Sequence, residues 1–151
     1  MSEGSITGIY IASAEGGDIR SVDAVDAVPG RGLVGDRYYA HAADEADHDP
    51  GTEVTLIASE GLERARAEKG LELKPGEHRR NLVTEGVDLD ELIGAEFTVG
   101  NVRLKGIRSN PPCRYLEDLT GKKLVKPLID AGGVRAQILA GGTIKVGDTV
   151  A

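Results

Sequence analysis
The chain has 151 residues, among them 21 glycines, one cysteine, one phenylalanine and no tryptophan, a length that fits one domain over residues 1–151. The lone cysteine, Cys113, excludes an internal disulfide framework and a cysteine-based zinc site. A net charge of −7 argues against nonspecific affinity for nucleic acid or an anionic membrane.

Hydrophobic residues make up 40% and charged residues 28%, which is the balance of a globular chain rather than a disordered one. Aromatic residues are only 3%, so the core has to be built from Val, Ile, Leu and Ala. No apolar run approaches the ~20 residues of a membrane helix, and Met1 to Gly8 lacks a basic-then-apolar leader pattern. A cytoplasmic location with a reduced thiol is therefore expected. Charge is unevenly spread: residues 1–77 carry 7 Lys+Arg against 16 Asp+Glu, whereas residues 78–126 carry 9 against 7. Cys113 falls in the stretch with the positive balance, which suits a small anion better than a polyanion.

In chain order, Ser5 to Ala12 alternates apolar with small or polar residues and runs into Gly16-Gly17, predicting a strand and turn. Ser21 to Val28 predicts a second strand, stopped by Pro29-Gly30. Gly30 to Gly35 is a glycine-rich loop, and the acidic, aperiodic His41 to Asp49 predicts a mobile surface loop. Glu53 to Ile57 reads as a strand. Ser59 is the expected N-cap of a helix that ends at Gly70. Arg79 to Thr84 is strand-like, and Asp88 to Gly94 predicts about one and a half helical turns. Ala95–Val99 and Val102–Lys105 form a predicted hairpin turning at Gly100-Asn101, and the alternation slips at Gly106, where a bulge is expected. Tyr115 to Leu119 predicts a short helix closed by Gly121, and Leu124 to Ala131 a second helical stretch. Val134 to Leu139 and Ile144 to Val150 form a terminal strand pair. Many short strands with turn signals between them point to a mostly β fold, a closed or nearly closed β-barrel with a few short helices. An α/β sheet is disfavoured, because strands do not alternate regularly with long helices.

Three groups of residues invite a functional reading. Cys113 lies in Ser109-Asn110-Pro111-Pro112-Cys113-Arg114, a loop stiffened by two prolines between a strand and a short helix. Beside Arg114 and a helix start its thiolate would be favoured, and thiolate is the form that attacks sulfur or binds a soft metal. The other reading of Cys113 is a buried cysteine acting as a small hydrophobe. His78-Arg79-Arg80-Asn81 groups a titratable ring, two guanidinium groups suited to phosphate or carboxylate, and an amide. Strand alternation puts Arg79 and Asn81 on one face and Arg80 on the other; solvated or acid-paired arginines are the competing reading. Around His41 and His48 the acids Asp44, Glu45, Asp47 and Asp49 match no helix face, so no preformed metal site is expected. Gly30 to Gly35 can be stretched to a GxGxxG pattern but lacks the strand-and-helix context of a nucleotide fold, and no G-x-S-x-G hydrolase elbow is present.

Taken together, several segments resemble a MOSC domain, the module named after the C-terminal part of molybdenum-cofactor sulfurases. They are Gly35-Asp36-Arg37-Tyr38, Arg80-Asn81-Leu82-Val83-Thr84 through Leu89, Leu92 to Gly100, Pro112-Cys113 with Leu116, and Gly132-Gly133-Val134-Arg135-Ala136 through Gly147-Asp148. The resemblance implies a mostly β barrel in which Cys113 is the working residue, carrying persulfide sulfur or ligating molybdenum of a pterin cofactor. Arg80 and Asn81 match the family block directly. Arg79 and Arg114 join them by charge and closeness in sequence, so that all four would face the pterin phosphate or stabilise the thiolate.

No pyridoxal-phosphate desulfurase domain, additional β domain or helical extension known in larger relatives is expected in this chain, and no iron–sulfur or flavin motif is present. Pyridoxal phosphate is thus expected only in a separate cysteine desulfurase acting as sulfur donor. Three functions compete at this level. One is a sulfur carrier of sulfurtransferase type, partnered by a cysteine desulfurase or molybdenum-cofactor enzymes. Another is a molybdenum-dependent oxidoreductase subunit for N-hydroxylated compounds, needing separate electron donors. The last is a non-catalytic anion- or partner-binding module.

Overall fold
Alternation in the first strand, β1 (Gly4–Ala12), shows how the barrel wall is made. Ile9 and Ile11 point inward two residues apart, as a pleated strand requires, yet Ile6 is also buried. A register shift between Ile6 and Gly8 reconciles the two, because one extra residue returns the chain to the inner face. The structure is a computed structural model and describes residues 3–14, 16–39, 49–128 and 131–151.

After β1 come β2 (Ile19–Val22), β3 (Ala24–Val28), β4 (Gly32–Leu33), β5 (Val54–Ala58) and helix α1 (Ser59–Lys69). The second half holds β6 (Leu82–Glu85), β7 (Glu96–Val99), β8 (Val102–Ser109), α2 (Arg114–Thr120), β9 (Val134–Ala140), β10 (Gly142–Lys145) and β11 (Thr149–Val150). Strands β1, β6, β5, β9, β8, β7 and β11 follow one another round a closed barrel, because β11 pairs with β7 on one side and β1 on the other. Among the described strands only β5 and β6 pair in parallel, and the segment joining them contains α1. Strand β2 extends the sheet beyond the far end of β1, and β10, β3 and β4 form a separate three-stranded sheet.

The interior is aliphatic, as the composition requires. Ile6, Leu56, Leu82, Leu104 and Ile138 are fully enclosed, with Phe97 the aromatic contributor. A second cluster lies outside the barrel, where α1 (Ala65) and α2 (Leu116) meet Leu71, Leu124 and Leu128. Burying a leucine is worth about 2 kcal/mol, so this cluster anchors the short α2, which has few hydrogen bonds of its own. Among the described residues no helix is long and apolar enough to cross a membrane.

Local expectations differ from the fold in five places. The predicted strand over residues 21–28 is two strands in different sheets, divided at Asp23, where the chain leaves β1 and joins β10. Ser59 is the first helical residue rather than the cap; the cap is Ala58, which makes no side-chain bond, and Ser59 hydroxyl turns to Glu60. Arg79 and Arg80 lie ahead of β6, because Arg79 adopts a left-handed φ of 58° that no strand contains. Leu124–Leu128, the described part of the second predicted helical stretch, is a turn closed by the Leu128 N–H donating to the Leu124 carbonyl. The terminal strands do not pair: β9 sits between β8 and β5, while β10 joins β3. The expected surface loop and its histidines lie outside the described residues, except for Asp49, which is ion-paired with Arg108 at 2.6 Å.

The slip at Gly106 has a steric cause. The 3-10 turn Leu89–Leu92 crosses β8 there, with Gly94 N–H donating to the Gly106 carbonyl at 2.8 Å. A Cβ on residue 106 would stand 2.1 Å from the Leu92 carbonyl oxygen. Gly106→Ala therefore forces backbone apart and is expected to destabilise the protein by about 2 kcal/mol or more, read as a lower urea midpoint at unchanged slope.

Candidate functional site
The segment entering β6 carries the polar groups that organise the site. Asn81 is fully buried. Its side-chain oxygen accepts from the Thr55 backbone N–H (3.0 Å) and hydroxyl (3.1 Å), and its amide donates to the Tyr10 carbonyl (3.1 Å). Its amide group is therefore committed to tying β1 and β5 together, and it acts by position rather than by contact with a ligand.

Arg80 is 8% exposed and faces carbonyl oxygens only. Nε donates to Gly132 (2.7 Å), Nη2 to Asn110 (2.9 Å) and Pro111 (3.2 Å), and Nη1 to His78 (3.4 Å). Burial, reinforced by the nearby charge of Arg135, pushes its pKa down to about 10, which still leaves it charged at neutral pH. The negative form of Cys113 acts in the opposite direction, so the thiol lies within electrostatic reach of this guanidinium. Gly132 allows the close approach, since a Cβ there would meet the Asn110 carbonyl oxygen at 2.4 Å. The result is a Pro-Pro loop gripped from beneath by a buried cation.

Cys113 stands at the end of that loop and is exposed, which removes the buried-hydrophobe reading. It occupies the cap position of α2 with an extended backbone, and its side chain makes no capping bond. Its carbonyl accepts from the Leu116 and Glu117 N–H groups, so the backbone is held while the sulfur is left for other partners. Arg114 is exposed and makes no hydrogen bond or ion pair among the described residues.

Arg79 reaches the opposite way from the strand expectation. Its Nη1 donates to the Gly17 carbonyl at 2.9 Å, and its buried Nη2 has no acceptor among the described residues. Burial and the neighbouring Arg37 lower its pKa, while Tyr115, Tyr38 and Asp36 act against them. Tyr115 is 52% exposed, and its hydroxyl stands 3.2 Å from where a Cβ on Gly16 would lie. Arg37 pairs with buried Asp36 at 3.1 Å and donates to the Arg79 carbonyl at 3.1 Å, its guanidinium 4.6 Å from the centre of the Tyr38 ring.

Sequence reasoning assigned no role to Arg37, Tyr38, Tyr115 and Arg135, which the fold brings to the same neighbourhood. Asp36-Arg37-Tyr38 and Arg135 stood in segments matching the family pattern, so the signal was present without a role attached. The tertiary fold thus brings Arg37 and Arg135 within electrostatic reach of Arg80, the guanidinium that also senses Cys113. Such a setting favours anions. Among the described residues no cluster of three or more His, Cys, Asp or Glu side chains is disposed to hold a metal.

Comparison with known proteins is consistent with this arrangement. The family model described as MOSC domain matches residues 41–151. No curated protein sequence matches the chain. Among solved structures, the YUAD protein from Bacillus subtilis superposes with a TM-score of 0.80 at 17% identity, over 99% of this chain and 94% of that one. YiiM from Geobacillus stearothermophilus gives 0.68 at 15% identity, over 97% and 73%. YiiM from Escherichia coli gives 0.65 at 17% identity, over 97% and 68%. At these identities the shared property is the fold.

His78 gives the site a measurable pH signature. It is 4% exposed, and burial followed by the charge of Arg80 lowers its pKa from 6.5 to about 4. The unfolded chain therefore binds a proton that the folded one refuses between pH 6.5 and pH 4. Stability is full above that window and falls as pH drops through it, by about 3 kcal/mol in all. His78→Gln, whose amide oxygen can still accept the Arg80 N–H, is expected to flatten this slope in urea titrations between pH 7 and pH 4.5.

Proposed function
The chain belongs to the MOSC domain family, which is associated with molybdenum-cofactor proteins, and we propose that it is a sulfur-carrier or cofactor-handling domain whose working group is the thiolate of Cys113. The observation that carries this reading is an exposed, uncommitted thiol at the tip of a loop immobilised by the buried Arg80 guanidinium. A carrier needs its sulfur accessible to a partner and its backbone fixed, and both conditions are met here.

In the carrier reading, the Cys113 thiolate attacks the outer sulfur of a persulfide on a cysteine desulfurase. A bond forms from Cys113 Sγ to that sulfur as the donor's S–S bond breaks, and the donor cysteine leaves as a thiolate. No external oxidant is needed, because the sulfane sulfur is passed at its existing oxidation level. The Arg80 guanidinium, within electrostatic reach of Cys113, favours the anionic form of the resulting persulfide. Asn81 contributes by holding the segment that carries both arginines.

A second reading is favoured by the buried Nη2 of Arg79, a donor that has no acceptor among the described residues. Phosphate oxygen suits a guanidinium, and an exposed thiolate suits a soft metal, so the residues present fit a molybdenum–pterin group. Cys113 would hold the metal and Arg79 the phosphate; when bound, such a group supplies two-electron oxygen-atom chemistry. Reduction of N-hydroxylated compounds would then require separate electron-donor proteins.

Incubation with a pyridoxal-phosphate cysteine desulfurase and cysteine is expected to add thiol-reducible sulfur to the peptide containing Cys113, and none to Cys113→Ser. An unmodified wild-type peptide defeats the carrier reading. For the second reading, protein from a molybdate-supplied host is expected to retain molybdenum and pterin, lost in Cys113→Ser and reduced about tenfold in Arg79→Gln. Metal-free wild-type protein defeats it, and failure of both leaves a binding module.

A further inference from the structure
A cavity of about 280 Å³ is lined by none of the residues that carry the Cys113 chemistry. Tyr10 of β1 and Val83 of β6 line one side of it. They alternate with the core residues Ile9, Ile11 and Leu82, so they stand on the outside of the barrel wall. Leu62 of α1, with Leu71 and Leu73 of the segment that follows, lines the other side, and all three belong to the outer leucine cluster. The cavity is therefore a space left where that cluster meets the barrel. Glu63, Arg66, Lys74 and His78 also line it. Glu63 and Arg66 neutralise each other through two contacts. His78 is uncharged at neutral pH, and its Nδ1 accepts the Arg80 backbone N–H. Lys74 is exposed, and its ammonium has no hydrogen bond or ion pair among the described residues. Glu77, the carboxylate that senses Lys74, is ion-paired with Lys122. The lining thus holds one cation in excess.

We propose that this cavity is a second ligand site, which takes a small apolar monocarboxylic acid in its anionic form. The hydrocarbon body lies between the leucines and Val83, and the carboxylate stays at the rim on Lys74. A lysine suits that division, because its stem lies along apolar surface while its head remains in water. A carboxylate kept at the rim keeps part of its hydration, so the heavy cost of burying a charge is avoided. The hydrocarbon body replaces water on the apolar walls and supplies the driving force. A second negative charge would face leucines or the Glu63 carboxylate with no further free cation, which disfavours dicarboxylates and phosphate esters. A cationic ligand would meet the excess of Lys74 and find Glu63 already paired. The volume stands at the lower end of the ~300–1,000 Å³ of small-molecule sites, which limits the body to one ring or a short chain. This site does not depend on whether Cys113 carries sulfur.

The test is a titration of the full chain, labelled with nitrogen-15, with phenylacetate as probe and phenylacetamide as its uncharged counterpart of the same shape. Phenylacetate is expected to shift the amides of Leu62, Leu73 and Val83 and to bind about fivefold more tightly than phenylacetamide at low salt. Lys74→Met keeps the apolar stem, removes the charge at an exposed position, and is expected to make the two affinities equal. Leu73→Trp fills the cavity from a partly exposed position and is expected to weaken both probes at least tenfold. Absence of shifts at these amides, equal affinity of the wild-type chain for the two probes, or a preference for phenylacetate that survives Lys74→Met would overturn the proposal. Undiminished binding to folded Leu73→Trp would place the probes elsewhere and overturn it too.

Discussion
The buried guanidinium of Arg80 joins three segments that are far apart in sequence: the entry to β6, the Asn110–Pro111 loop and the Gly132 turn. Carbonyl oxygens surround it, and no carboxylate neutralises it among the described residues. Its charge therefore survives burial and projects toward the thiol. Such an arrangement is expensive for folding, since a desolvated cation held by dipoles recovers less than one held by an anion. What it provides is a rigid loop and a positive field at the same place. Arg37 and Arg135 lie within electrostatic reach of the same guanidinium, and buried Asp36 orders Arg37.

The barrel supplies the geometry that makes this convergence possible. Closure of β11 onto β1 removes free edges between the seven strands and turns a ribbon into a wall with two ends. The outer leucine cluster fastens α1 and α2 beside one another, which sets α2 and its leading cysteine over the Arg80 segment. His78 sits between two environments, one the cationic neighbourhood of the thiol and the other an apolar cavity against α1.

Much of the fold was readable from local pattern, and the exceptions share a physical origin. Alternation located β1, β7 and β8, and the slip at Gly106 revealed its bulge, because period-two patterning is a local property. The strand break at Asp23 was not readable, since the residues on both sides alternate correctly and only the identity of the pairing partner changes there. Likewise, Arg79 and Arg80 had strand-like neighbours, and the left-handed turn at Arg79 comes from docking of Gly76, Gly17 and Arg37 around it. The same limit applies to the site. Cys113, Arg79, Arg80 and Asn81 could be singled out by residue type, but their division of labour depended on burial: Asn81 and Arg80 are structural supports, and Cys113 is exposed.

By itself the sequence determined a low-aromatic, mostly β chain with one thiol in its positively balanced stretch, because composition, charge and alternation are properties of neighbours along the chain. The tertiary structure alone decided that Arg37 and Arg135 stand within electrostatic reach of Arg80, that Arg80 grips the thiol's loop from beneath, and that His78 is buried beside it. Those facts depend on which distant segments share a barrel end, and closing the barrel is a long-range event that local pattern does not encode.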